Sequence, residues 1–146
     1  MARFDTGDPP PAAPAGQQAR RPAGHVLVPL GAGIGYLVLS VLMYRSAWAD
    51  PAGRVYGPSD SILFAWYLGW IPHALLNGLD PFVTHQLNAP YGTNILWSTP
   101  VPLLGLLAAP VTLLFGPVAT LTVLITLAPA LSAFALFCVV RRWVSA

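Results

Sequence analysis

The sequence predicts an all-α integral membrane protein, and three observations lead there. Hydrophobic residues make up 55% of the 146 positions and charged residues only 8%, against roughly 25% charged in a soluble domain. No Asp, Glu, Lys or Arg occurs across residues 81–140, a stretch that no soluble fold keeps wet. Two apolar runs, residues 26–44 and 101–140, are long enough to hold membrane-spanning helices. The expected architecture is two transmembrane helices joined by a long extracytoplasmic loop that carries interfacial or juxtamembrane helices.

Charge and cysteine content exclude other classes. The net charge of +2 rests on arginine alone, since lysine is absent, and it is too small and scattered to predict a nucleic-acid partner. Cys138 is the one cysteine, so no intrachain disulfide forms. The partners this composition implies are membrane lipid and other membrane helices.

Residues 1–24 contain five prolines together with Ala, Gly, Gln and the pair Arg20–Arg21. Nothing there buries a core, so a disordered cytoplasmic tail is expected rather than a partner-binding proline-rich arm. Residues 25–45 are the first expected span. Its uncharged run of residues 26–44 reaches roughly 28 Å, close to the hydrocarbon thickness of a bilayer. Pro29 falls in the first turn of that run, while Tyr44, Arg45 and Trp48 gather at its far end as an interfacial belt. Gly31 and Gly35 make a small-xxx-small pair suited to a neighbouring helix. Ala47-Trp48-Ala49 also has the shape of a signal-peptidase site, but the apolar run exceeds the length of a secretory h-region, which favours a retained helix.

Residues 46–100 form the expected extracytoplasmic loop, with a juxtamembrane helix over about residues 60–77. Ser59 or Asp60 supplies its N-cap, and Gly78 with Asp80-Pro81 behind it supplies the stop. At 100° per residue Ile62, Trp66, Trp70 and His73 share one face and Phe64, Leu68, Ile71 and Leu75 another. Ala65, Gly69 and Pro72 lie between them as a seam where a helix approaches closely. The tryptophans suit a lipid headgroup zone.

Residues 101–116 carry Pro102 and Pro110 and are short for a span, so an interfacial or re-entrant helix is expected. Gly116-Pro117 divides the second apolar block. Residues 117–140 are the second span, with a kink expected at Pro129. Residues 141–146 form a cytoplasmic end, beginning at Arg141-Arg142. Arginines near span ends prefer the cytoplasm, and pairs lie at both outer ends of the two spans. Two crossings follow, with both termini cytoplasmic, in a multi-pass protein of the inner (plasma) membrane.

Asp60 stands at the border between a wet loop and a dry helical surface. A capping role, worth ~1 kcal/mol, competes with that of a general base tuned by apolar surroundings. Capping is the commoner of the two, and the roles are compatible. Asp50 and Asp80 each precede a proline and read as turn residues. His73 and His85 lack the further ligands that zinc needs, so loop or interfacial hydrogen bonding is expected of both, with a phosphate contact as a further role for His85. Asn88, Tyr91, Gly92 and Asn94 form a polar outer turn able to meet sugar hydroxyls, although a plain Pro-Gly turn uses the same residues. Trp97 is either a stacking surface for a sugar or an interfacial anchor.

The order of these elements resembles the amino-terminal part of bacterial multi-spanning glycosyltransferases of the GT-C fold, which use polyprenyl-phosphate-linked sugars. The likeness covers about residues 58–142. It rests on Ser59-Asp60, the series W-x-x-x-W-x-P-x-A-L-x-x-G-x-x-P-F from Trp66 to Phe82, Asn88-Ala89-Pro90-x-Gly92 and Ala109-Pro110-Val111. The resemblance implies a partial GT-C fold and a polyprenyl-phosphate-sugar donor. It also implies a catalytic acid at Asp60, acting as base or holding a divalent metal ion while an acceptor hydroxyl attacks the anomeric carbon. A polyprenyl phosphate leaves as a stabilised anion, so one carboxylate suffices where glycoside hydrolysis needs an acid–base pair. The later helices of that family have no counterpart here. Catalysis is therefore expected only with the remaining helices of a longer chain or of a partner membrane subunit, these residues being a fragment or one piece of a split protein. The rival reading is a small two-span scaffold or assembly protein without activity. A transporter is disfavoured because neither apolar run, residues 26–44 or 117–140, holds an Asp, Glu, His, Lys or Arg to bind or relay an ion.

Overall fold

The computed structural model describes residues 24–144, and the expected tail with Arg20-Arg21 lies outside them, Gly24 excepted. The described chain is mostly helical. A long helix α1 (Gly24–Met43) is followed, after a non-helical Tyr44, by one turn, α2 (Arg45–Trp48). Pro29 falls in the second turn of α1, one turn further in than expected. The aromatic helix α3 (Asp60–Leu76) matches the bounds expected for it within a residue. A two-stranded hairpin, β1 (Val83–Thr84) with β2 (Thr93–Asn94), leads through a 3-10 turn at Ile95–Trp97 to α4 (Pro102–Leu107). The last element, α5 (Ala109–Val144), is broken at Gly116.

The break has a simple cause. Gly116 adopts φ 86° and ψ 165°, a backbone that side-chain-bearing residues rarely reach. Pro117 then restarts the helix from its first turn, where the absent N–H costs nothing. Thr120 Oγ1 donates to the Gly116 carbonyl at 2.9 Å, and the Thr112 and Thr120 hydroxyls meet at 3.0 Å, so the break is bridged by hydrogen bonds. The interfacial segment comes as two pieces rather than one, α4 and the first arm of α5. Pro110 explains the division, because it has no N–H to give the carbonyl of Leu106 four residues back. Backbone dihedrals stay helical through Pro129, where the ring removes one backbone hydrogen bond.

α1 and the second arm of α5 pack antiparallel: Gly33 meets Phe134 while Ser40, further along α1, meets Thr126, earlier in α5. The close approach is made by Gly33, where a Cβ would lie 3.4 Å from the Phe134 ring. Gly31 and Gly35, the expected pair, face open space. Two residues of offset on a helix turn a side chain by about 200°, which places Gly33 opposite its neighbours.

Burial on this hairpin is inverted. Ser40, Thr120, Thr122 and Thr126 are buried, while Leu30, Ile34, Leu39, Leu42, Leu131 and Leu136 are exposed. Ser40 Oγ donates to the Thr126 carbonyl, and Trp48 Nε1 donates to Thr126 Oγ1 at 3.0 Å. Thr126 Oγ1 donates in turn to the Thr122 carbonyl at 2.8 Å, and Thr122 Oγ1 to the carbonyl of Pro51 at 3.3 Å. Polar atoms hold the seam together and hydrocarbon faces outward. α5 is long and apolar enough to cross a membrane by length and composition.

α3 is held on three sides. Its seam of Ala65 and Gly69, with buried Leu68, lies against Pro117 and Leu121 of α5. A Cβ at Gly69 would sit 3.4 Å from the Pro117 ring. Ile71 packs against Gly105 of α4, where a Cβ would lie 3.1 Å away. Tyr67, Trp70 and Ala74 enclose Ile95. Trp70 is a core residue rather than a headgroup anchor: it is 6% exposed, and its indole N–H donates to the Pro81 carbonyl at 3.1 Å. An exposed indole suits the interface, but this one has its polar atom satisfied inside the protein.

Gly105→Val inserts branched carbon into the α3–α4 contact. A loss of about 1–3 kcal/mol is expected from overpacking, read as a lowered thermal midpoint of helical circular dichroism. Ile71→Ala in the same chain should recover part of it.

Candidate functional site

The described residues hold three carboxylates, and two of them are consumed locally. Asp50 Oδ1 accepts the N–H of Gly53 at 3.0 Å, and Asp80 Oδ1 accepts that of Phe82 at 2.8 Å. Both are Asx-type turns, as expected for aspartates that precede proline. Asp60 differs. It occupies the first turn of α3, is exposed, and accepts no hydrogen bond from the described residues. The N-cap position belongs to Ser59, which is itself helical (φ −51°, ψ −35°) and makes no capping bond. The capping hydrogen bond expected of Ser59 or Asp60 is therefore not formed, because an αR backbone at Ser59 removes the extended geometry that a cap requires. What remains for Asp60 as a structural role is its charge near the positive end of the helix dipole.

The polar outer residues lie on one lobe, residues 83–97. Register pairs Val83 with Asn94 and Thr84 with Thr93. Asn88 adopts φ 56° and its Nδ2 donates to the Gly92 carbonyl at 3.2 Å, which closes the turn. His85 lies across Gly92, where a Cβ would approach its Nδ1 to 2.7 Å. Asn94 Oδ1 accepts the N–H of Leu96 at 2.9 Å and so caps the 3-10 turn. One polar atom of each asparagine is thus spent on the fold, leaving Asn88 Oδ1 and Asn94 Nδ2 for a ligand. Tyr91 and Trp97 stand almost fully exposed, at 85% and 92%.

Asp60 is not brought to this lobe. The lobe is tied to α3 at Trp70, ten residues or about 15 Å along the helix from Asp60. Asp60 lines neither of the two grooves beside the aromatic face of α3. Nor do the described residues contain a group of three His, Cys, Asp or Glu side chains able to hold a metal ion. Asp60 alone offers a divalent ion one or two oxygen ligands, so the rest would come from water or from groups outside the described residues.

Two adjoining grooves surround the aromatic face of α3. Trp66 and Trp70 stack in parallel, with centroids 5.4 Å apart and planes inclined by 8°, and His73 continues the row 5.8 Å beyond Trp70. This row forms one wall of a groove of about 320 Å³ completed by Gly69, Gln86 and Pro117. The second groove, about 410 Å³, lies between Trp70 and the lobe and includes Asp80, Thr84, His85 and Gln86. Gln86 belongs to both. Buried Thr84 fixes its position by accepting the Gln86 N–H at Oγ1, at 3.1 Å. The spacing of Trp66, Trp70 and His73 was visible in the sequence; nothing marked Gln86.

Tyr67 is 1% exposed, and its hydroxyl has no hydrogen-bond partner among the described residues. Leaving such a group unpaired costs about 1–3 kcal/mol. The chain matches no protein-family model, no curated protein and no solved structure. Its functional reading rests on its own residues.

Gly92→Ala is expected to displace the His85 ring and loosen the lobe, since the new methyl group meets both His85 Nδ1 and the Thr84 carbonyl. The φ of 76° adds strain, for a total cost above about 1 kcal/mol. Amide hydrogen exchange should accelerate across residues 83–97 and stay unchanged in α1.

Proposed function

We propose that this chain is the amino-terminal, membrane-anchored portion of a glycosyltransferase that moves a sugar from a polyprenyl-phosphate donor to an extracytoplasmic hydroxyl. The reading adopts the partial GT-C likeness of the sequence. One observation carries it: of the three described carboxylates, only Asp60 is both exposed and unengaged, and it sits at the end of a helix fixed on three sides. A carboxylate held in place but given no structural hydrogen bond is suited to accept a proton.

In the step proposed, the acceptor oxygen forms a bond to the anomeric carbon as Asp60 takes the hydroxyl proton. The bond from that carbon to the phosphate oxygen breaks, and the electron pair leaves with the polyprenyl phosphate. No acid is required on the leaving group. The indole of Trp66, backed by buried Trp70 and with His73 and Gln86 at the groove edge, offers a flat apolar face with polar flanks, the combination that suits amphipathic rings. Donor-phosphate contacts are assigned to helices supplied by a longer chain or a partner subunit.

The membrane placement proposed is a two-span hairpin of α1 and residues 117–144, with α3, the lobe and α4 as an extracytoplasmic cap. Inverted burial supports it, since outward leucines and inward hydroxyls suit a hydrocarbon surround. The start of α1 and Arg141 line one common groove, so the arginine pair marks the end of the hairpin that the positive-inside preference assigns to the cytoplasm. A scaffold role is the second reading, favoured by the separation of Asp60 from the two grooves beside the aromatic face of α3.

In the complete enzyme, Asp60→Asn should lower transfer by about 10²–10⁴-fold with insertion unchanged; full activity would assign the chain to the scaffold reading. Topology is checked separately in a Cys138→Ala background. Arg54→Cys should react with an impermeant thiol reagent in intact cells, and Trp143→Cys should react only after permeabilisation.

A further inference from the structure

A groove at the other end of the hairpin from α3 differs in chemistry from the aromatic site. It measures about 670 Å³ and is walled by Val28 and Tyr36 of α1 and by Ala133, Leu136, Phe137 and Val140 of α5. Tyr36 and Phe137 close its inner end edge to face, at 6.4 Å. Arg141 is the one ionisable residue on its lining with a permanent charge, and it stands at the mouth, where the apolar run ends. Asp50, Asp60 and Asp80 all lie on the far side of the hairpin, and no ion pair to Arg141 forms among the described residues.

Resting on the two-span reading, we infer that this groove seats one anionic phospholipid, with an acyl chain along the apolar walls and its phosphate on the Arg141 guanidinium. Size supports this, since the groove falls in the range of ligand sites. Charge supports it too: a basic group closing an apolar cleft between spanning helices on the cytoplasmic side complements an anionic headgroup. A long arginine stem reaches the headgroup level while its methylenes stay in hydrocarbon. The occupant is separate from the glycosyl donor. Arg141 lies twenty residues beyond Leu121, the α5 residue that packs on α3, or about 30 Å along the helix, and faces the opposite leaflet.

The test is native mass spectrometry of the full chain released from nanodiscs of phosphatidylcholine with added phosphatidylglycerol. Flotation with liposomes first checks that the chain enters a membrane, which the two-span reading requires; a chain that does not float defeats that reading and this one together. For a floating chain, retained phosphatidylglycerol adducts should exceed phosphatidylcholine adducts. Arg141→Gln should cut phosphatidylglycerol affinity about five-fold, leave phosphatidylcholine unaffected, and be rescued in part by Arg141→Lys. Arg142→Gln, outside the groove lining, should do much less. Ala133→Trp, which fills the cleft, should reduce both lipids with helical content retained. Equal effects of the two arginine variants would reduce the preference to diffuse surface attraction and overturn the seat. So would a dimer mass that Ala133→Trp abolishes, because the groove would then hold a second copy.

Discussion

Thr126 is the residue on which the arrangement of the chain depends. Its carbonyl takes the Ser40 hydroxyl, and its own hydroxyl takes the Trp48 indole while reaching back to Thr122. Thr122 in turn holds the carbonyl of Pro51. One turn of α5 therefore fixes the end of α1, the turn α2 and the start of the loop that leads to Asp60. Around this seam the exposed side chains are leucine, valine and isoleucine. Hydrophobic burial contributes little to holding such a pair together where the surround is itself hydrocarbon, so register comes from hydrogen bonds and from the Gly33–Phe134 contact.

The cap is built differently. α3 packs by ordinary core burial, with Tyr67, Leu68, Ile71 and Ala74 nearly inaccessible. Its seam rests on the stretch that follows the break at Gly116, and Pro117 touches both Gly69 and the groove beside Trp66. The backbone reversal at Gly116 thus serves two purposes. It lets residues 109–115 turn away from the hairpin, and it presents a proline ring to the aromatic face of α3.

Much of this was legible in the chain. The bounds of α3, its Ala65–Gly69 seam and the division at Gly116-Pro117 follow from helical periodicity and from the two residues least able to continue a helix. Other features depended on partners that a linear pattern does not name. Gly33 rather than Gly31 and Gly35 meets α5, because the choice among three closely spaced glycines is set by the rotation of α1 about its axis. Ser59 and Asp60 read as caps by composition, but capping needs an extended backbone that composition does not specify. The polar turn was recognised at Asn88 and Asn94. That one oxygen or nitrogen of each is spent on the fold emerges only from the register of β1 and β2. Gln86 carried no signal, since its place between two grooves is decided by Thr84 two residues earlier.

The inverted distribution of side chains on α1 and α5 also governs how this protein comes apart. In the proposed two-span placement, parting the two helices exchanges contacts with protein for contacts with lipid tails and brings almost no hydrocarbon to water. The heat-capacity increment and the urea sensitivity of unfolding both scale with surface delivered to solvent. On that placement both quantities belong mainly to the cap around Tyr67 and Ile95, and a calorimetric or chemical melt reports on that region while the hairpin remains silent.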